Sequence, residues 1–186
     1  MTVEKQWEDL LTPAVMQERL ISVSLYITAF EMLKDSIVGR LKDFYCIGFT
    51  QDGVTTSPDY KNKVLSLNKS PTYASLAWLQ HAQVIDQDDI VVFERVKDLR
   101  NTLAHELPAI VMAGREIALT EGMQDVLDLM RKIEIWWINA DIEINPDFDG
   151  HEVNPDDIVP GPLLMIEIML QVLSGNEDIK KSYMRE

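Results

Sequence analysis

Arg100, Asn101 and His105 fall within the stretch Asp98-Leu99-Arg100-Asn101-Thr102-Leu103-Ala104-His105-Glu106. A His acts as a general acid or base near neutral pH. An Arg grips a phosphate with parallel hydrogen bonds and stabilises charge in a transition state. An Asn holds a His ring or orients a substrate. The trio therefore has the parts for cleaving a phosphodiester without a metal. Asn101 and His105 are spaced to share one helical face. Arg100 is turned from Asn101 by about 100°, and its length lets it reach a shared ligand. The same residues also suit an ordinary helix end. There His105 complements the helix dipole, and Arg100 pairs with Glu94 or Asp98.

These residues need a helix to hold them, and the periodicity predicts one over 89–107. Val92, Val96, Leu99 and Leu103 form its buried stripe. Asn101, His105, Glu94 and Asp98 lie opposite. An Asp of the 86–89 group caps its start, and Pro108 ends or kinks it. A longer helix is predicted over 13–44. Met16, Leu20, Val23, Ile27, Phe30, Leu33, Ile37, Leu41 and Phe44 recur there at helical spacing, behind Thr12 and Pro13 as cap and first turn. A short helix from Tyr73 to Ile85 turns Leu76, Leu79 and Val84 inward and carries His81 as an ordinary surface residue. Residues 108–120, around Gly114, read either as a turn of helix or as a loop. Glu121 to about Ile144 is the next long helix, with Trp136 and Trp137 in it. Residues 162–174 form the last, apolar nearly all round and so expected in the bundle core or at a subunit contact.

Between these helices, residues 45–71 read as a long, partly irregular insertion punctuated by Gly48, Gly53, Pro58 and Pro71, with Asp52-Gly53 as a turn. Lys61, Lys63, Lys69, Tyr60 and Tyr73 would let it hold nucleic acid, although a solvated loop is the default. Residues 145–162 are an acidic connection rich in Pro and Gly. Asp147-Phe148-Asp149-Gly150, near His151, only faintly matches a calcium loop, because its ligand order and closing Glu are out of register. Residues 175–186 are a frayed polar tail. No alternating strand pattern of useful length is present. The expectation is all-α: one domain over 1–186, an up-and-down bundle of four to five helices with a long loop insertion.

The wording Leu99-Arg100-Asn101-Thr102-Leu103-Ala104-His105 resembles the R-x4-6-H signature of HEPN domains, small all-α domains many of which are metal-independent ribonucleases. The long early helix, the insertion and the motif near the end of a later helix fit as well. The resemblance covers the motif and, loosely, residues 13–140. It implies a homodimer in which two copies of Arg100 and His105 line one composite cleft. His105 would assist attack of a ribose 2′-hydroxyl or protonate the leaving oxygen, Arg100 would hold the scissile phosphate, and Asn101 would orient His105. No metal or cofactor is implied. Many such domains carry Glu-x-x-x-Lys on an earlier helix. Here Glu31 and Lys34 are one residue closer, with Asp35 where the Lys would stand, so surface ion pairing is the simpler role for them.

Composition narrows the partners. With 186 residues, 46% of them hydrophobic, the chain buries a sizeable core. Cys46 is the sole cysteine, so neither an intrachain disulfide nor a cysteine-rich metal site forms, which suits a reducing cytoplasm. Glu4 and Lys5 near the start argue against a signal peptide, and no apolar run reaches the ~20 residues of a membrane span. The formal net charge is -14. Residues 1–110 carry 11 Lys and Arg against 15 Asp and Glu, and residues 111–186 carry 6 against 16. Such a chain does not draw nucleic acid by long-range attraction and is no reader of DNA sequence. A small local phosphate site remains open to it. The expected function is a HEPN-type endoribonuclease of the toxin or antiviral effector class, acting on RNA, with an antitoxin or other protein as a further partner. The alternative is a non-catalytic helical dimer that serves assembly.

Overall fold

The computed structural model describes residues 2–51, 53–113, 118–146, 154 and 157–174. It is mostly helical, with one two-stranded sheet among the described residues. Its contacts divide the chain into two compact units, residues 1–129 and 130–186.

The first unit begins with a helix absent from the expectations, α1 (Val3–Leu11). The Thr2 hydroxyl accepts from the Lys5 amide and starts it. Asp9, nearly buried, joins it to the next helix by accepting from Arg19 at 2.8 Å. Helix α2 (Pro13–Phe44) matches the predicted span. Pro13 opens it, but the Thr12 hydroxyl donates back to the Glu8 carbonyl and makes no cap bond to α2. Its buried face is Val23, Tyr26, Ala29, Phe30, Leu33, Ser36, Ile37 and Leu41, whereas Leu20 and Phe44 stay exposed. The face is therefore turned toward Tyr26 and Ala29 relative to the predicted stripe.

Residues 45–71 contain structure that the pattern did not show. Strands β1 (Cys46–Thr50) and β2 (Gly53–Thr56) pair antiparallel, with Phe49 opposite Val54 and an irregularity between Cys46 and Gly48. Gly53 at φ 115° supplies the left-handed backbone of the turn. The absence of strand expected from the sequence is thus corrected. Turn chemistry and short β-branched runs build this hairpin, and an apolar face turned to a core does not, since Ile47 and Phe49 are both exposed. A π-helical turn (Tyr60–Val64) and a 3-10 turn (Leu65–Leu67) follow. Tyr60 and Val64 are buried. Tyr60 is a core residue and is not free to stack a base.

Helix α3 (Pro71–His81) buries Ala74, Ser75, Leu76 and Leu79. Gln83 takes a positive φ of 60°, which turns the chain so that Val84 and Ile85 enter the core. Asp86 then caps α4 (Gln87–His105). Its carboxylate accepts from the amides of Asp88 and Asp89, and the Asp89 carboxylate accepts from the Asp86 amide, a reciprocal box. Helix α4 buries Phe93, Val96 and Leu103. Leu99 is only half-buried. Pro108 does not block helix formation but sits in the first turn of α5 (Leu107–Ala113), where a missing amide costs nothing. Gly114 lies outside the described residues.

Helix α6 (Leu119–Ile144) runs across the boundary between the two units. In the first unit Gly122 meets α2 and α4 closely. A Cβ at this position would stand 2.3 Å from Leu99 and 3.1 Å from the Tyr26 ring. In the second unit Met130, Ile133, Glu134, Trp137 and Ile166 are buried, and Trp136 meets Trp137 edge to face at 4.8 Å. Arg131 donates to the Ile158 carbonyl. Helix α7 (Gly161–Leu173) buries Ile166 but leaves Met165, Leu170, Val172 and Leu173 exposed. Of the two settings expected for it, bundle core or subunit contact, the core of this chain takes only one side. A helix apolar on every side buries only the side that meets a neighbour. The Asp147-Phe148-Asp149-Gly150 stretch, His151 and the tail 175–186 lie outside the described residues. No helix among those described is long and apolar enough to cross a membrane.

Gly122→Val is expected to lower stability by about 1–3 kcal/mol, because the added bulk drives into Leu99 and the buried Tyr26 ring. Thermal or urea denaturation of the full chain measures it, and an unchanged midpoint would contradict this packing.

Candidate functional site

Helices α2 and α4 pack on each other along an aromatic seam. The Phe30 and Phe93 rings stack at 6.1 Å, and Tyr73 from α3 meets Phe93 edge-on at 6.2 Å. One turn along α2, the buried Tyr26 hydroxyl donates to the Val96 carbonyl at 3.0 Å. In a regular helix that carbonyl also receives the Arg100 amide. Tyr26 therefore ties the turn of α4 that carries Arg100 to α2.

Arg100 uses this anchorage to leave its own helix. Its Nη2 donates to Glu31 Oε1 at 2.8 Å, across 69 residues of sequence. Its guanidinium lies 6.0 Å from the Phe30 ring centre, within cation–π range. Its Nε is buried with no partner among the described residues. Lys34 sits 3.5 Å from the other Glu31 oxygen. Glu31, Lys34 and Arg100 thus form one linked cluster. The local pairing of Arg100 with Glu94 or Asp98, open on sequence grounds, does not occur. Glu94 accepts instead from Lys97. Glu31 and Lys34 do form the surface ion pair expected of them, and Glu31 serves Arg100 as well.

Asn101 is half-buried and His105 is exposed at the last position of α4. Neither side chain makes a hydrogen bond among the described residues, so Asn101 does not orient His105 within one chain. Arg100 and His105 are separated by about 140° around the helix. Between them lie Ala104, exposed and small, and Asn101. The outer face of α4 is therefore polar at its edges and low in the middle. Beyond Glu31, an open groove of about 370 Å³ runs between α2 and the hairpin, lined by Lys34, Asp35, Lys42, Asp43 and Val54.

Sequence reasoning passed over Lys97. Its ammonium donates to the Tyr73 hydroxyl and to Glu94. The Glu94 bond first, and the Tyr73 bond after it, hold the Lys97 pKa well above its ordinary value. The same bond from Lys97 holds the Glu94 carboxyl below the usual range. The spacing of Glu94 and Lys97 signalled half of this cluster. Tyr73, from α3, was beyond any local pattern. The Cys46 thiol donates to the Gly48 carbonyl, and Lys63 pairs with Asp59 at 2.8 Å. Among the described residues no group of three or more His, Cys, Asp or Glu is placed to hold a metal ion. The chain matches no protein-family model, no curated protein and no solved structure.

Two measurements check these contacts. A double-mutant cycle with Arg100→Met and Glu31→Gln is expected to give a coupling of about 0.5–1 kcal/mol, as for a half-exposed ion pair. A coupling of zero would place Arg100 elsewhere. Stability is also expected to fall as pH rises. The Tyr26 pKa lies above its ordinary 10.0, chiefly through burial and secondly through the Asp125 charge, and that of Lys97 lies above 10.5. Groups raised on folding contribute fully below their unfolded pKa, and that contribution is lost as pH climbs through the folded one. Melting temperatures measured upward from about pH 10 should decline, and less steeply in Tyr26→Phe and in Lys97→Met.

Proposed function

We propose that this protein is a metal-independent endoribonuclease of HEPN type, of the toxin or antiviral effector class, with a composite site at a homodimer interface. The observation that carries the reading is the Arg100–Glu31 hydrogen bond. A motif that was only a helix end would leave Arg100 to its local neighbours or to solvent. Here a carboxylate from a distant helix and an aromatic ring beneath hold the guanidinium part-exposed at the edge of a polar face. A pinned guanidinium loses less freedom when it grips a phosphate. Glu31 marks where an anionic group docks.

In this reading Arg100 holds the scissile phosphate and stabilises the charge that builds on it. His105 takes the proton of the ribose 2′-hydroxyl or returns one to the leaving oxygen. Since Arg100 and His105 of one chain diverge around α4, the two act on one phosphate when a second copy lays its α4 across the first. Exposed Ala104 permits that close approach. Asn101, with no side-chain hydrogen bond among the described residues, then has a substrate or the partner's His105 to orient. Glu31 keeps Arg100 in place, and Lys34 supports it by pairing with the other Glu31 oxygen.

A second reading is a non-catalytic helical dimer used for assembly. The exposed Met165, Leu170, Val172 and Leu173 of α7 favour it, as does a net charge of -14 that repels RNA. An antitoxin or another protein partner fits either reading.

Incubation of the purified protein with a mixed set of RNAs in EDTA separates the two. Cleavage is expected from the wild type, and a loss of at least about a hundredfold from His105→Ala and Arg100→Ala, the scale of removing a general acid–base or a charge-stabilising group. Expression of the wild type, and not of His105→Ala, should depress growth. Intact RNA in every wild-type reaction would favour the assembly module.

A further inference from the structure

We infer that Lys97 is a second phosphate-binding residue of the same site, held in place by Tyr73 and Glu94, and that it contacts a strand phosphate next to the one on Arg100. The inference rests on the ribonuclease reading and deepens it.

Lys97 precedes Arg100 by three residues and Asn101 by four, so it is a surface neighbour of both. Around the helix it lies between them, about 60° from Arg100 and 40° from Asn101. Ala104 lies on the same strip, one further turn on. Lys97, Arg100, Asn101 and Ala104 are thus contiguous, and the Lys97 side chain remains 28% exposed.

A free lysine is a flexible, strongly hydrated charge and loses much rotamer freedom on binding. Lys97 has already lost it. Its Nζ donates to the Tyr73 hydroxyl and to Glu94, and it lies 5.1 Å from the Tyr73 ring centre. Tyr73 is itself seated on buried Phe93, which packs on the Phe30 ring beneath Arg100. The two cations therefore share one aromatic base. An ammonium has three donors. Two are used within the chain, and the third is left for an incoming acceptor.

A chain of net charge -14 gains nothing from loose surface lysines in recruiting RNA. It needs fixed, local cations. Lys34 and Arg100 share Glu31, and Lys97 pairs with Glu94, so these cations are compensated locally and form no broad basic surface. Each phosphate contact there has to be made at short range by a positioned donor.

The test uses the full-length chain with His105→Ala, which disables cleavage, and a fluorescent single-stranded oligoribonucleotide of mixed sequence. Binding is measured across a salt series. For single strands the slope of log Kobs against log salt is about -0.7 for each phosphate contact. The key variant is the charge-balanced Glu94→Gln with Lys97→Met, which leaves the local net charge unchanged. It is expected to flatten the slope by about 0.7 and to weaken binding several-fold. Lys97→Arg is expected to keep the slope, and Tyr73→Phe to weaken binding while keeping it. Lys97→Gln with Glu94→Gln stands in should the first pair fail to fold. An unchanged slope in the charge-balanced variant, with Arg100→Met flattening it, overturns the role of Lys97 and leaves the ribonuclease reading standing. Failure of the His105→Ala chain to bind RNA even at low salt overturns that reading, and the Lys97 assignment falls with it.

Discussion

The site depends on one buried contact, the hydrogen bond from the Tyr26 hydroxyl to the Val96 carbonyl. A fully buried hydroxyl must find an acceptor, and leaving the bond unmade costs about 1–3 kcal/mol. The acceptor it finds is a main-chain oxygen one turn before Arg100. That bond sets the register of α4 on α2. With the register set, Phe30 meets Phe93, and Arg100 arrives within reach of Glu31. Gly122 completes the arrangement by letting α6 come close to both Tyr26 and Leu99.

Above this seam the polar residues fall into two classes. Arg100 and Lys97 are restrained by partners from other helices and by aromatic rings below them. Asn101, half-buried, and His105, exposed, make no side-chain hydrogen bond among the described residues. A division of that kind suits an incomplete site, in which charge is placed in advance and the remaining polar groups await a substrate or a second copy. It also suits an acidic protein. Short-range, oriented donors act where long-range attraction is absent.

Much of the fold could be read from the residues. The 13–44 periodicity gave the limits of α2, an Asp within 86–89 was legible as the cap of α4, and the exposure of His105 followed from its place opposite the predicted stripe. Other features could not be read. The hairpin 46–56 has strands too short for alternation to register, and both its large apolar side chains face outward. Helix α1 is held by Asp9 to Arg19 more than by an apolar stripe. The apolar residues all round helix α7 left bundle core and subunit contact both open, since composition does not say how many neighbours a helix will have.

The candidate site divides in the same way. The sequence alone determined that Arg100, Asn101 and His105 ride on one helix, that the latter two face away from its buried stripe, and that Glu31 and Lys34 are neighbours. Local geometry decides such matters, because a helix repeats every 3.6 residues whatever surrounds it. Only the tertiary structure decided that Arg100 pairs with Glu31 and that Tyr73 clamps Lys97. Those pairs join residues far apart in the chain, and the packing of α2 and α3 against α4 brings them together. That packing follows from which buried side chains interlock, a property of all the elements at once that no single stretch of sequence contains.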